Sequence, residues 1–298
     1  MFRTAGIIHA VNAHRVGWSP FKLLGVLVTA LVPVLCLAGD RPSDPAAQFL
    51  DRGFRDLYNL KFAPAQQEFD AWKRAYPADP VGPVSEAAGL LFSEFHRLGI
   101  LESQFYESDS AFQSRKKNTP DPATRQHFDD AIAHAETLAR TRLSANAKDR
   151  DGLFAMTLAS GLKADYAALI DKRNLASLHF TKEATGWAEQ LLAVDPNCYD
   201  AHVATGVSKY IIGTMAAPVR WLLRLGGIAG DKQAGIAELQ ITAEHGHYLA
   251  PFARILLAIA YVREKDKAKA LDLLASLRSE FPENPLFAQE IARLDAAH

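Results

Sequence analysis

Cysteine is almost missing from this chain, which has two in 298 residues, Cys36 and Cys198. A disulfide framework is thereby excluded as the source of stability, and the fold has to rest on its core. No charge sign prevails either: 33 basic residues face 34 acidic ones, for a net charge of −1. That balance removes the electrostatic basis for a nucleic-acid partner. Catalytic signatures are lacking too. There is no His-Glu-x-x-His metal motif, no Gly-x-Ser-x-Gly nucleophile elbow, and no pair of carboxylates forced together by spacing. Gly226, Gly227, Gly230 and Lys232 have the outline of a phosphate loop, but Asp231 separates glycine from lysine and Gln233 replaces the hydroxyl residue. Helix capping explains those glycines better. His245 and His247 flank Gly246 without supporting ligands at metal spacing, so they read as a pair at the negative end of a helix dipole. Cys198 stands at a helix start that favours a thiolate, yet it lacks a local catalytic partner and reads as a half-buried junction residue. The expectation is a non-enzyme with no cofactor and no metal.

What is present begins with an N-terminal segment unlike the rest. The first 38 residues carry Arg3, Arg15 and Lys22 and no acid, and an uncharged run of 17 residues follows Lys22 (LLGVLVTALVPVLCLAG, 23–39). The run closes on Cys36-Leu37-Ala38, with small residues flanking a cut before Gly39. A basic start, a short apolar stretch and a small-residue exit form a secretory signal pattern. Leu35 before Cys36 does not fit a lipoprotein signal. The rival is an uncleaved anchor: 17 residues is the lower limit for a span, Pro33 disturbs it, and the long basic lead favours it. Removal of 1–38 takes away three of 33 cations and none of 34 acids, leaving a net charge of −4 on residues 39–298. The expected destination is export, to a periplasm or cell envelope.

The mature region has helical periodicity. In FAPAQQEFDAWKRAYPADP (62–80), Ala65, Phe69 and Trp72 share one helical face, Pro77 stops the helix, and Asp79-Pro80 opens another. Gly53, in the preceding helical stretch, permits a close crossing with that face. Residues 251–284 repeat the plan with Leu257, Ala258 and Tyr261, then Ala270, Leu274, Leu277 and Pro282. These two units resemble the tetratricopeptide repeat (TPR), a 34-residue pair of antiparallel helices. Second helices of the same kind are read at 128–143, with Ala131, Ala135 and Leu138, and around Ala184, Ala188, Leu191 and Pro196. Gly206 falls at the close-crossing position of the next unit. Hairpin ends near Pro77, Asn146, Pro196, His247 and Pro282 are 69, 50, 51 and 35 residues apart, so longer helices and insertions fill the middle. The expected fold is all-α: a right-handed superhelix of about five stacked TPR-like hairpins over 39–298.

Two insertions depart from the repeat. Residues 106–123 are polar and contain Arg115, Lys116 and Lys117, read as a solvated loop in preference to a phosphate-binding patch. Residues 213–230 (GTMAAPVRWLLRLGGIAG) are apolar, with Trp221, Leu222 and Leu225 on one helical face and Arg220 and Arg224 on another. A membrane-surface helix looks like this, and so does a lid over the concave face; sparse basic residues favour the lid. The following GDKQAGIAEL (230–239) is similar to a glycine–aspartate–basic motif of tetratricopeptide-39-like helical proteins, a weaker resemblance over 180–290 that names no site.

The repeat resemblance also implies a groove. Its concave positions fall on Leu50, Phe54, Leu57 and Tyr58 in the first unit, and on Val203, Val207, Tyr210 and Ile211 in the fourth. In the last unit they fall on Phe252, Ile255, Ile259, Val262 and Arg263. The basic-and-asparagine clamp with which chaperone-binding members hold a terminal carboxylate is missing. An apolar lining fits a bound apolar helix, an internal element that fills the groove, or packing between units. The leading expectation is an exported, non-catalytic scaffold binding a protein or peptide on its concave face. The alternative is a membrane-associated carrier of an apolar ligand, touching the bilayer through 213–230 or an uncleaved N-terminus.

Overall fold

Twelve α-helices follow one another in the computed structural model, which describes residues 47–102, 119–225 and 229–296, all within the compact unit Ser43–His298. They are α1 (Ala47–Tyr58), α2 (Phe62–Ala75), α3 (Val81–Arg97), α4 (Pro122–Ala145), α5 (Arg150–Asp165) and α6 (Asn174–Val194). Then come α7 (His202–Thr214), α8 (Ala217–Leu225), α9 (Lys232–His245), α10 (Ala250–Arg263), α11 (Lys267–Glu280) and α12 (Pro285–Ala296). The expected signal segment, and the cations of the first insertion, lie outside the described residues.

The helices pair as hairpins: α1 with α2, α3 with α4, α5 with α6, α7 with α9 and α10 with α11, while α12 covers the last. Each hairpin also packs on its successor, as in a stacked array. The fold is all-helical and TPR-like. The helix ends fall where the sequence puts them, for reasons of capping. Asp121 accepts from the Thr124 amide at 2.7 Å, Asp149 from that of Gly152 at 2.8 Å, and Asp231 from those of Gln233 and Ala234.

Close crossings carry the hairpins. A Cβ on Gly53 would lie 2.4 Å from the Phe69 ring, so only glycine lets α1 rest directly on that aromatic. Ala65 and Phe69 are wholly buried, and the same pattern returns at Ala270 and Leu277 in α11. Burying each large apolar side chain is worth roughly 1.5–3 kcal/mol, so the repeated small-then-large face, summed over the hairpins, is the main stabilising element. The extra length in the middle is now placed. α4 and α6 are 24 and 21 residues long, and α8 is inserted between the partners α7 and α9. The 150–170 stretch, α5 with one π turn at Tyr166–Ile170, is apolar and long enough to cross a bilayer, but 67% of its apolar window is buried among its neighbours as a core helix.

Candidate functional site

The apolar positions expected to line a groove divide into two groups. Leu50, Phe54 and Leu57 are buried in one cluster with Ala65, Phe69, Leu153, Phe154 and Leu191, and Phe54 and Tyr58 carry the seam along which the first hairpin meets the last. The Phe54 ring stacks on Tyr248, in the turn before α10, at 4.8 Å between centroids. Tyr58 donates its hydroxyl to the Tyr248 carbonyl at 2.8 Å and lies 5.3 Å from the Phe281 ring. Around this contact, Asn284 donates to the Tyr58 carbonyl at 2.9 Å and Lys61 pairs with Glu283 at 2.6 Å. Two more aromatics from the middle of the chain join in: Phe154 of α5 faces Tyr248, and Phe92 of α3 meets Phe252 of α10 edge-on. The first-unit residues are therefore not an open groove. The chain itself covers them: Leu50 and Leu57 lie in the core with residues of α2, α5 and α6, and Phe54 and Tyr58 lie against Tyr248 and Phe281.

The turn that receives α1 is fixed from below. Asp200 accepts three backbone N–H groups, from His247 at 2.8 Å, Tyr248 at 2.9 Å and Leu249 at 3.1 Å. Burial raises its carboxyl above the ordinary range, against the pull of those three donors. His247 pairs with Asp51 of α1 at 2.7 Å, which gives it a structural part in the same seam, while the His245 ring lies beside Tyr199. No cluster of three metal-ligating side chains occurs among the described residues. Cys198, read as a half-buried junction residue, is fully buried beside Arg150, and burial pushes its thiol up to about 11, away from the thiolate that a helix start would favour.

The second group stays partly open. Val203 and Tyr210 are buried, but Val207, Ile255 and Val262 are half-buried on the C-terminal core. Phe252, Ile259 and Arg263 are half-buried as well, and Ile211 is 47% exposed. α9 packs on both α7 and α10, and the half-buried residues of those two helices are the candidate strip. α5 adds a face of Phe154, Leu158, Gly161 and Asp165, which recur every three or four residues. Its Phe154 end is filled by Tyr248, whereas a Cβ on Gly161 would meet nothing within 4 Å. Asp165 keeps part of its surface while protein surrounds it, and desolvation alone pushes its carboxyl up to about 7. Sequence reading missed Tyr248, Asp200 and Asp165. The first two sit in a turn and a one-turn 3₁₀ segment with no periodicity to mark them.

The second insertion departs from its expected form. Of the α8 side chains described, all but Leu223 are exposed, with Trp221 at 65% and Leu225 at 68%. The lid reading is corrected: α8 does not bury its apolar face over the first helices, because its stem turns it outward. A Cβ on Gly213 would lie 2.4 Å from the Lys232 nitrogen, and one on Gly230 would lie 2.4 Å from the Gly213 nitrogen. Gly235 likewise abuts the Tyr210 backbone. The glycine–aspartate–basic motif is thus a packing and capping device, with Gly230 and Gly235 at backbone crossings and Asp231 as the cap of α9.

Comparison with known proteins adds little. No family model and no curated protein matches the chain. Among solved structures, the crystal structure of a thermophilic TPR protein in Thermus thermophilus aligns with a TM-score of 0.43 and 16% identity, over 84% of this chain and 98% of that one. At that distance the TPR-like reading stands on the chain's own hairpins and crossings.

Proposed function

We propose that the chain is an exported, non-catalytic scaffold that takes a protein or peptide segment on the inner strip of α7 and α10. One observation carries the reading. The inner side already holds an apolar helix at one end, where α1 lies on Tyr248 and Phe281, and the strip beyond it has the same apolar chemistry without a cover at Ile211. A partner helix or extended segment presenting apolar residues matches it. The carrier reading has less support, because the hollow beside the strip's end is lined by polar groups, among them Thr214, Arg220, Asp231, Lys232 and Glu264.

Photo-crosslinking in the envelope fraction tests the scaffold. A crosslinker at half-buried Ile259 should yield a discrete adduct, one at buried Leu57 should not, and Val207→Asp should abolish the first. Absence of any adduct along Val207, Ile255 and Ile259 would remove the binding strip. Export is checked separately by N-terminal sequencing, which should begin near Gly39.

A further inference from the structure

We propose that α8 docks on the surface of an anionic bilayer and holds the scaffold there. This goes beyond the inner-strip reading and uses none of its residues except Ile211 at the margin.

Exposed apolar surface of this kind disfavours the isolated protein, and here it is concentrated. Trp221 and Leu225 lie one helical turn apart and are 65% and 68% exposed, while Val219, 46% exposed, points to another side of α8 and Ile211, 47% exposed, stands near the end of α7. Charge selects the partner. Between Asp200 and Asp231 the chain has no carboxylate, while it has Lys209, Arg220 and Arg224. Lys209 is occupied by Glu238 on α9. Arg220 and Arg224 lie one turn apart, in a row beside the apolar one, and both are exposed. Neither forms an ion pair with the described residues. Arg220 instead donates to the Gly213 carbonyl at 3.1 Å, which ties the helix to its own stem. The nearest carboxylates are already engaged, Asp231 in capping α9 and Glu264 in holding Lys232 at 2.5 Å. An apolar row ending in tryptophan beside an unpaired basic row suits the boundary between acyl chains and anionic headgroups. Charge alone would also suit an acidic protein surface; the exposed Trp221 and Leu225 beside the arginines favour a bilayer, whose acyl layer takes up the apolar pair while its headgroups meet the cations.

The stem supports such a role. Gly213 and Gly230 touch backbone to backbone, and Asp231 donates its amide to the Lys209 carbonyl at 3.1 Å. The excursion leaves and returns through this pinch. α8 is therefore displayed from a fixed base while the α7–α9 hairpin closes beneath it, so docking requires no unfolding of the hairpin.

The test uses the full chain with vesicles of phosphatidylcholine, with and without phosphatidylglycerol. Subtracting the emission of Trp221→Phe from that of wild type isolates one tryptophan of four. In buffer the difference spectrum should be that of a water-exposed indole. Anionic vesicles should shift it to the blue, neutral ones much less, and added salt should reverse the shift. Arg220→Ala/Arg224→Ala should weaken partition into anionic vesicles roughly tenfold to thirtyfold, the scale expected for two basic residues at a charged surface. Circular dichroism and melting of the variant should match wild type. A difference spectrum that ignores anionic vesicles overturns the proposal. So does one already blue in buffer, which would mean that α8 is seated on protein, or a shift that grows with protein concentration alone, which would mean self-association. Equal binding to neutral vesicles would overturn the anionic preference. Loss of vesicle binding with crosslinking at Ile259 intact, or the reverse, separates the fate of this proposal from that of the inner strip.

Discussion

α1 and α8 are both short helices with an apolar row that includes aromatic side chains in α1 and Trp221 in α8, and they meet opposite fates. α1 buries Leu50, Phe54 and Leu57 to 5% exposure or less in a core shared with α2, α5 and α6, with Tyr248 stacked on Phe54, while α8 leaves Trp221 and Leu225 about two-thirds exposed. The outer face of α1 mixes Asp51, Arg52, Arg55 and Asp56, whereas α8 carries only arginines. The difference teaches that an apolar row specifies a need for cover, and that the surrounding charge indicates what supplies it. Mixed charge suits water on the far side of a helix docked within its own chain. Arginine alone suits a negative surface from outside.

Removing the cover should expose this contrast most strongly. Phe54→Ala takes a buried ring out of the contact with Phe69 and Tyr248, and should cost about 3–5 kcal/mol in urea denaturation. Trp221→Ala, on the exposed helix, should stay within about 0.5 kcal/mol of wild type. Equal costs would mean that α1 and α8 are not differently housed, and the closure of the array on itself would fall.

The hairpins were legible because their signals are local. Pro77, Pro196 and Pro282 follow helix ends, aspartates precede helix starts, and small residues recur at crossings, all within one or two turns of the residues they control. The closure was not legible. Tyr58 and Tyr248 are 190 positions apart, and Tyr248 lies in a turn where no period marks it. Which apolar rows become groove, core or exposed surface depends on how far the array bends, and that is a sum over every crossing. For the same reason Leu50 and Phe54 looked identical to Val207 and Ile259 in sequence. The outward turn of α8 depends on Gly213 meeting Gly230 across 17 positions, which no helical periodicity records.

A second, smaller effect falls at Asp165, at the far end of the α5 face from Phe154. Asp165 has its carboxyl pushed up from an ordinary 3.8 to about 7 by burial. The folded protein therefore holds this proton more tightly than the unfolded chain does. Its contribution is fully favourable below about pH 4 and is lost as pH rises through 7. Asp165→Asn should accordingly leave stability unchanged near pH 3.5 and raise it by about 1–3 kcal/mol at pH 8. Chemical denaturation at the two pH values measures this directly. A gain of equal size at both would show that the carboxyl is not desolvated, and that this end of the face opens to bulk water.

The smallest expected change lies one turn earlier, at Gly161. Glycine inside a helix costs about 0.5–1 kcal/mol relative to alanine, and a new Cβ here meets no atom within 4 Å. Gly161→Ala should therefore stabilise the protein by about that amount, raising Tm by roughly 1–4 °C for a chain of this size. Gly53, where the same added atom would strike the Phe69 ring at 2.4 Å, should lose stability on the same substitution. The two variants sample an open and a filled position with one identical change, so side-chain chemistry cancels and only the space differs. If Gly161→Ala melts below wild type, some part of the chain comes closer to α5 than its helices place it, and the inner face is filled along its whole length. If it melts higher and crosslinking at Ile259 is unchanged, the space beside Gly161 is free of the partner as well as of the protein. If it melts higher but crosslinking weakens, the partner reaches α5, and the binding strip extends from α7 and α10 across to the Leu158–Asp165 face.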